Sequence, residues 1–175
     1  AQSIVKDRIQ DTLLQKGVAI MDRLTTEVYN EVSIDQDTII YPFTVIESGV
    51  KIGKKCRIGP FARIKAGTEI ADNSEVGNFV EIARTKVGRN VKVSHHSFLA
   101  DATIGDGTFI GAGTMTAKSA DQKKNQKSTI GKNVTVGVGV LITPPAHIKD
   151  KANVDAGTFV RANAQTAQPK YSKTS

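Results

Sequence analysis

The chain has no tryptophan, one cysteine and three histidines, and aromatic residues make up only 5% of its 175 positions. So few large rings exclude a broad interior built from them. The 39% of residues that are apolar must fill a narrow core with small and β-branched side chains. The lone Cys56 excludes an internal disulfide and fits a reducing, cytoplasmic compartment. No apolar run approaches the roughly 20 residues that span a bilayer, so no membrane partner is expected. The opening AQSIVKDRIQ lacks the apolar core of a secretory signal. Acidic residues are the scarcer charge: 24 Lys and Arg stand against 17 Asp and Glu, a formal charge of +7. That excess suits nucleic acid, an acidic membrane surface or a phosphorylated small molecule alike. The six Phe and three Tyr do not cluster with the lysines, as they would on a nucleic-acid surface. A small anionic ligand is therefore expected, and no nucleic acid.

What is present is a repeat. Aliphatic residues fall at Ile34, Ile40, Ile46, Ile52, Ile58, Ile64, Ile70, Val76 and Ile82, each six residues after the last. The series resumes one residue early at Val87, Val93 and Leu99 and slips again to Ile104 and Ile110. After a polar interruption it runs through Ile130, Val136, Ile142, Ile148, Val154 and Val160. Two places before each aliphatic stands a small or β-branched residue, among them Thr38, Cys56, Ala62, Ser74 and Val80. A period of six is wrong for a helix and too short for a hairpin. A short strand and a bend, three times around, make a triangular coil of about eighteen residues stacked ~4.8 Å above its neighbour. Cys56 is then an inward core residue.

Three segments lie outside the repeat. Residues 3–16 place Val5, Ile9 and Leu13 on one helical stripe, with Ser3 as N-cap and Gly17 as C-cap. Residues 116–129 form a basic inserted loop carrying Lys118, Lys123, Lys124 and Lys127, and an excursion from a solenoid is where binding is usually added. Residues 164–175 form a tail without the repeat. The expected division is a helix over 1–17, a β-helix domain over 18–163 and that tail.

The register states which residues sit above one another. The corner tetrads IGPF, VGNF, VSHH and IGAG stack, placing His95 over Asn78 and under Ala112, and His96 over Phe79 and under Gly113. A corner residue of such a coil faces outward, so a polar pair there is by default solvated. Yet a neutral imidazole with small residues above it has room to take a proton near pH 7. Lys65 stacks with Ala83 and Ala100, and Arg84 with Ala66 and Asp101, at a different corner. Either would meet His95 only through a neighbouring subunit, which favours a cyclic trimer with clefts between subunits. A zinc enzyme needs three His on one metal. His95 and His96 are adjacent and His147 lies elsewhere, so no metal is expected.

The six-residue pattern resembles the hexapeptide-repeat family. That resemblance implies an all-β, left-handed parallel β-helix of six to seven triangular coils over residues 31–163, with a short N-terminal α-helix. Within it, IGPFARIKAGTEI, VGNFVEIAR, VSHHSFLADATIGDGTFIGAGTMT and STIGKNVTVGVGVLITPP resemble the acetyltransferase half of the bifunctional glucosamine-1-phosphate acetyltransferases and N-acetylglucosamine-1-phosphate uridyltransferases. The nucleotidyltransferase half has no counterpart in this sequence, so no uridyltransferase activity is expected. The resemblance implies a homotrimer transferring an acetyl group from acetyl-CoA to the amine of a hexosamine phosphate, with His95 as general base. Backbone N–H groups of Gly111–Thr114 would stabilise the oxyanion. The same comparison assigns Lys65, Arg84, Glu81, Asn78, Lys118 and Lys127 to the substrate, and Gly113 and Ala156 to the cofactor. It also shows departures: Lys65 stands where the family has arginine, Ala83 where it has lysine, and Phe98 where it has a substrate tyrosine. Phe109 replaces an asparagine and Val138 a serine. Two readings result: an acyltransferase with an altered pocket, or a non-catalytic trimer serving assembly, regulation or ligand binding.

Overall fold

A computed structural model describes residues 2–116 and 126–166. Each repeat folds as a strand of two or three residues and a tight corner, and the described residues hold 24 such strands. In Arg57–Ile58 the first side chain is exposed and the second fully buried, and the same outward-then-inward order recurs around the coil. The small residue two places earlier also turns inward: Cys56, Ala62 and Thr68 are at most 1% exposed. A larger side chain there would overfill the triangle.

Every third strand pairs in parallel, giving three faces of eight strands each: the first begins at Ala19–Ile20, the second at Glu27–Val28, the third at Ser33–Ile34. The architecture is the expected left-handed parallel β-helix. Strands Ser33–Ile34 through Phe159–Val160 make seven coils, and three further strands, Ala19–Ile20, Glu27–Val28 and Gln165–Thr166, lie outside the coil range 31–163, the first two of them within the expected domain 18–163. Inward residues form columns, such as Ile40, Ile58, Val76, Val93 and Ile110 on the first face. Each buried aliphatic contributes on the order of 1.5–3 kcal/mol. Main-chain groups are satisfied from coil to coil: the Ile39 N–H donates to the Cys56 carbonyl at 2.9 Å and the Tyr41 N–H to the Ile58 carbonyl at 2.9 Å. Burial pushes the Cys56 thiol pKa up, in keeping with a core residue and not a nucleophile.

The helix runs Gln2–Gln15, so Ser3 lies one residue inside it and not at the N-cap. Gly17, at φ 84, ends the helix as expected. The Val18 N–H reaches the Leu13 carbonyl at 3.1 Å and the Gly17 N–H the Leu14 carbonyl at 3.0 Å, the two bonds of a Schellman motif. Leu13 and Val18, both buried, add its apolar contact. Ile9 and Leu13 pack on the first coils, whereas Val5 is 55% exposed. The buried Gln10 supplies the anchor instead: its amide donates to the Thr26 carbonyl at 3.0 Å and accepts from Arg23 Nε at 3.0 Å. The polar excursion is shorter at its ends than expected, because Met115–Thr116 and Ser128–Ile130 are strands. Lys118 and the tail past 166 lie outside the described residues. Among the described residues no helix is long and apolar enough to cross a membrane.

Close approach between coils makes certain glycines obligatory. A Cβ on Gly105 would lie 2.6 Å from the Gly131 carbonyl carbon, which is backbone that cannot give way, whereas one on Gly49 meets nothing within 4 Å. Gly105→Ala is therefore expected to cost about 3 kcal/mol. Gly49→Ala should cost only the left-handed penalty of its φ of 74, about 1 kcal/mol. Urea denaturation of the two variants checks the order.

Candidate active site

The corner joining the first and second faces carries His95. Its third residue is left-handed in successive coils: Phe43 (φ 58), Phe61 (φ 54), Phe79 (φ 53), His96 (φ 56) and then Gly113 (φ 68). Identical backbone geometry aims each side chain the same way, so the rings stack. Phe43 and Phe61 have centroids 4.7 Å apart, Phe61 and Phe79 5.0 Å, and Phe79 and His96 5.0 Å. The His95 ring stands edge-on to His96 at 80° and 5.4 Å. The pairings of Val76 with Val93 and of Val93 with Ile110 confirm that His95 lies over Asn78 and under Ala112. The His96 N–H donates to the Asn78 carbonyl at 3.1 Å, and the Gly113 N–H to the His95 carbonyl at 3.0 Å.

Above His95 the corner carries no ring and no long side chain. Ala112, Val138 and Ala156 continue its column, and Gly113, Gly139 and Gly157 continue that of His96. Beside them the second face turns Met115, Leu141 and Phe159 outward, exposed by 45, 37 and 53%. The result is an open trough over the glycine column, running up from His95 with apolar side chains along its second-face side. The outward positions of the repeat held this signal, in apolar residues where the lower coils carry Arg63 and Glu81. Of the four N–H groups expected to hold an oxyanion, three are engaged. Gly111 donates to Val136 at 2.8 Å, Gly113 to His95 at 3.0 Å and Thr114 to Gly111 at 3.3 Å. The N–H of Ala112, the residue stacked one coil above His95, donates to no described residue. The expected donor set narrows to that one group.

The structure thus gathers Asn78, His95, Gly113 and Ala156 on one corner. The basic residues occupy the next corner, between the second and third faces, as the register required. There they pair with acids. Lys65 Nζ lies 3.4 Å from Glu81 Oε1. Arg84 grips Asp101 through Nε at 2.9 Å and Nη2 at 2.8 Å, a hydrogen-bonded pairing that raises the guanidinium pKa further. Both one-residue slips of the repeat fall at this corner in consecutive coils, at Arg84 and Asp101, and so bring the two together. Lys127 sits higher on the same side and lines a cavity of about 380 Å³ with Thr129, His147 and Asn163. Among the described residues no group of three His, Cys, Asp or Glu side chains is placed to hold a metal ion.

Comparison with known proteins agrees with this architecture. The bacterial transferase hexapeptide (six repeats) pattern matches residues 31–66 and 49–84, and the hexapeptide repeat of succinyl-transferase matches 128–162, together about half of the chain. The chain belongs to the hexapeptide-repeat transferase family. This hexapeptide-repeat protein is 33% identical over 192 residues to the bifunctional protein GlmU of Fervidobacterium nodosum, covering 91% of this chain and 42% of that protein. It is 32% identical to the bifunctional protein GlmU of Clostridium perfringens, with the same coverage. The chain thus spans about two fifths of the length of these relatives. Among solved structures it is similar to the UDP-N-acetylglucosamine acyltransferases of Campylobacter jejuni (TM-score 0.54, 18% identity, 85% of this chain and 67% of that one) and Francisella novicida (TM-score 0.54, 19% identity, 83% and 57%). At such identities these two share the fold.

The Arg84–Asp101 pair has one partner largely exposed, with side-chain exposures of 55 and 10%, so solvent screens much of its attraction. Arg84→Gln is expected to lower stability by about 1 kcal/mol. The check is the midpoint of urea denaturation at unchanged slope.

Proposed function

We propose that this chain transfers an acetyl group from acetyl-CoA to the amine of a hexosamine phosphate. The observation that carries the reading is His95 on a corner with no long side chain above it, and the unengaged N–H of Ala112 one coil up. His95, as neutral imidazole, takes a proton from the sugar ammonium. The freed amine attacks the thioester carbonyl, and the oxygen that gains charge accepts the Ala112 N–H. Collapse of the tetrahedral adduct breaks the C–S bond, the departing thiolate is protonated from the imidazolium, and the adduct nitrogen sheds its remaining extra proton to solvent as the amide forms. The amide and free CoA result, with His95 neutral again.

The trough over Gly113 and Ala156 suits the arm of the acyl donor, since no side chain fills the glycine column there. Asn78, Glu81, Lys65, Arg84, Lys118 and Lys127 serve the anionic sugar. Because Lys65 and Arg84 lie at another corner than His95, the substrate would be held between subunits of a homotrimer. Phe98 and Val138, which remove polar groups the family offers, point to a changed acceptor. They also favour the second reading, a non-catalytic trimer.

Isothermal titration with acetyl-CoA separates the two. Saturable binding is expected, and no heat at millimolar ligand would remove the enzyme reading. With turnover in hand, His95→Ala is expected to lower kcat by about 10²–10⁴-fold while leaving acetyl-CoA affinity intact. A variant that turns over normally would exclude His95 as base. Sedimentation should report three times the chain mass.

A further inference from the structure

We propose that His96 is a positioning residue for His95, and that the Phe43–Phe61–Phe79 stack beneath it is the support that keeps the His96 ring in place. The proposal rests on reading His95 as the general base. A base needs a fixed ring, and in the familiar arrangements a third group supplies this by hydrogen bonding to the other imidazole nitrogen. Here neither nitrogen of His95 has a hydrogen-bond partner among the described residues, and the side chain is exposed. Its ring contact is with His96, edge-on at 80° with centroids 5.4 Å apart, within the range where perpendicular rings attract.

His96 would be a poor guide if its own ring were free to turn, and three features hold it. Its φ of 56 repeats that of Phe79, Phe61 and Phe43, so the side chain leaves the corner in the direction they do. Its N–H is tied to the Asn78 carbonyl of the coil below at 3.1 Å. Its ring lies 8° from parallel with Phe79, whose own ring is backed by Phe61 and then Phe43. The column ends there, because the next three positions are Gly113, Gly139 and Gly157. Four rings therefore rise from the lower coils and stop at the level of His95, below the bare trough. A stack serving only to stabilise the corner would have no reason to meet the candidate base at its last ring.

The test uses the intact chain, whose three histidines give three imidazole signals by NMR. His96→Ala is expected to shift the ring resonance of His95, through loss of the neighbouring ring current, and to leave that of His147 unmoved. Phe79→Ala should move the resonances of His96 and His95 together. In the acetyl-transfer assay His96→Ala should lower kcat about tenfold with KM within about twofold, because a misdirected base impairs the chemical step and not binding. His96→Phe, which keeps a flat ring on Phe79, should restore most of kcat and the His95 shift. Lys51→Gln, on a low coil of the third face, should change neither. An unmoved His95 resonance in His96→Ala, or a His96→Phe variant no better than His96→Ala, would overturn the proposal. If the wild-type chain shows no turnover, the function reading fails on its own, and the resonances still decide the ring contact. Should His96→Ala not fold, Phe79→Ala and His96→Phe carry the same comparison.

Discussion

Every feature of this molecule depends on the hydrogen bonds that tie each two-residue strand to the coils above and below it. A strand so short has no stability alone, and a coil cannot bury its inward aliphatic without a neighbour on each side. Parallel pairing fixes one residue over another, as Ile58 lies over Ile40 and Val76 over Ile58. That vertical registration makes the core a set of columns, and it makes the surface a set of columns too. Any side chain chosen at one corner position is automatically placed against its counterparts one coil away.

At the corner of His95 this registration decides the chemistry on offer. Left-handed backbone is uncommon for residues other than glycine, and histidine and asparagine tolerate it better than most. Here the left-handed position is filled by Phe three times, by His once and by Gly above. The His96 column is solid with rings up to the level of His95, and glycines continue it above. The same registration spends most main-chain N–H groups on the next coil and leaves that of Ala112, the residue one coil above His95, without a described acceptor. Base, unengaged donor and open trough are thus consequences of one coil geometry with a changing side chain at fixed positions.

The basic corner between the second and third faces is tightened by two shortened coils. Two consecutive coils drop one residue at the same place, which tightens the turn and sets Arg84 against Asp101. Lys65 is likewise answered by Glu81 on the second face. A net charge of +7 gave no hint of this local neutralisation, since charge totals say nothing of which groups meet.

The six-residue spacing by itself pointed to a triangular coil, its inward columns and the vertical neighbours of His95, because a parallel coil converts distance along the chain directly into position; the left hand came with the family resemblance. The ring series at Phe43, Phe61, Phe79 and His96 was likewise present as a near-constant spacing. The sequence could not state that those rings would lie flat on one another, since that arises from a φ near 55° repeated at each corner. Nor could it show that Gln10 and not Val5 anchors the helix, or that three of the four N–H groups of Gly111–Thr114 are already engaged. Such outcomes depend on angles and reach across space, which a periodic pattern of residue types does not encode.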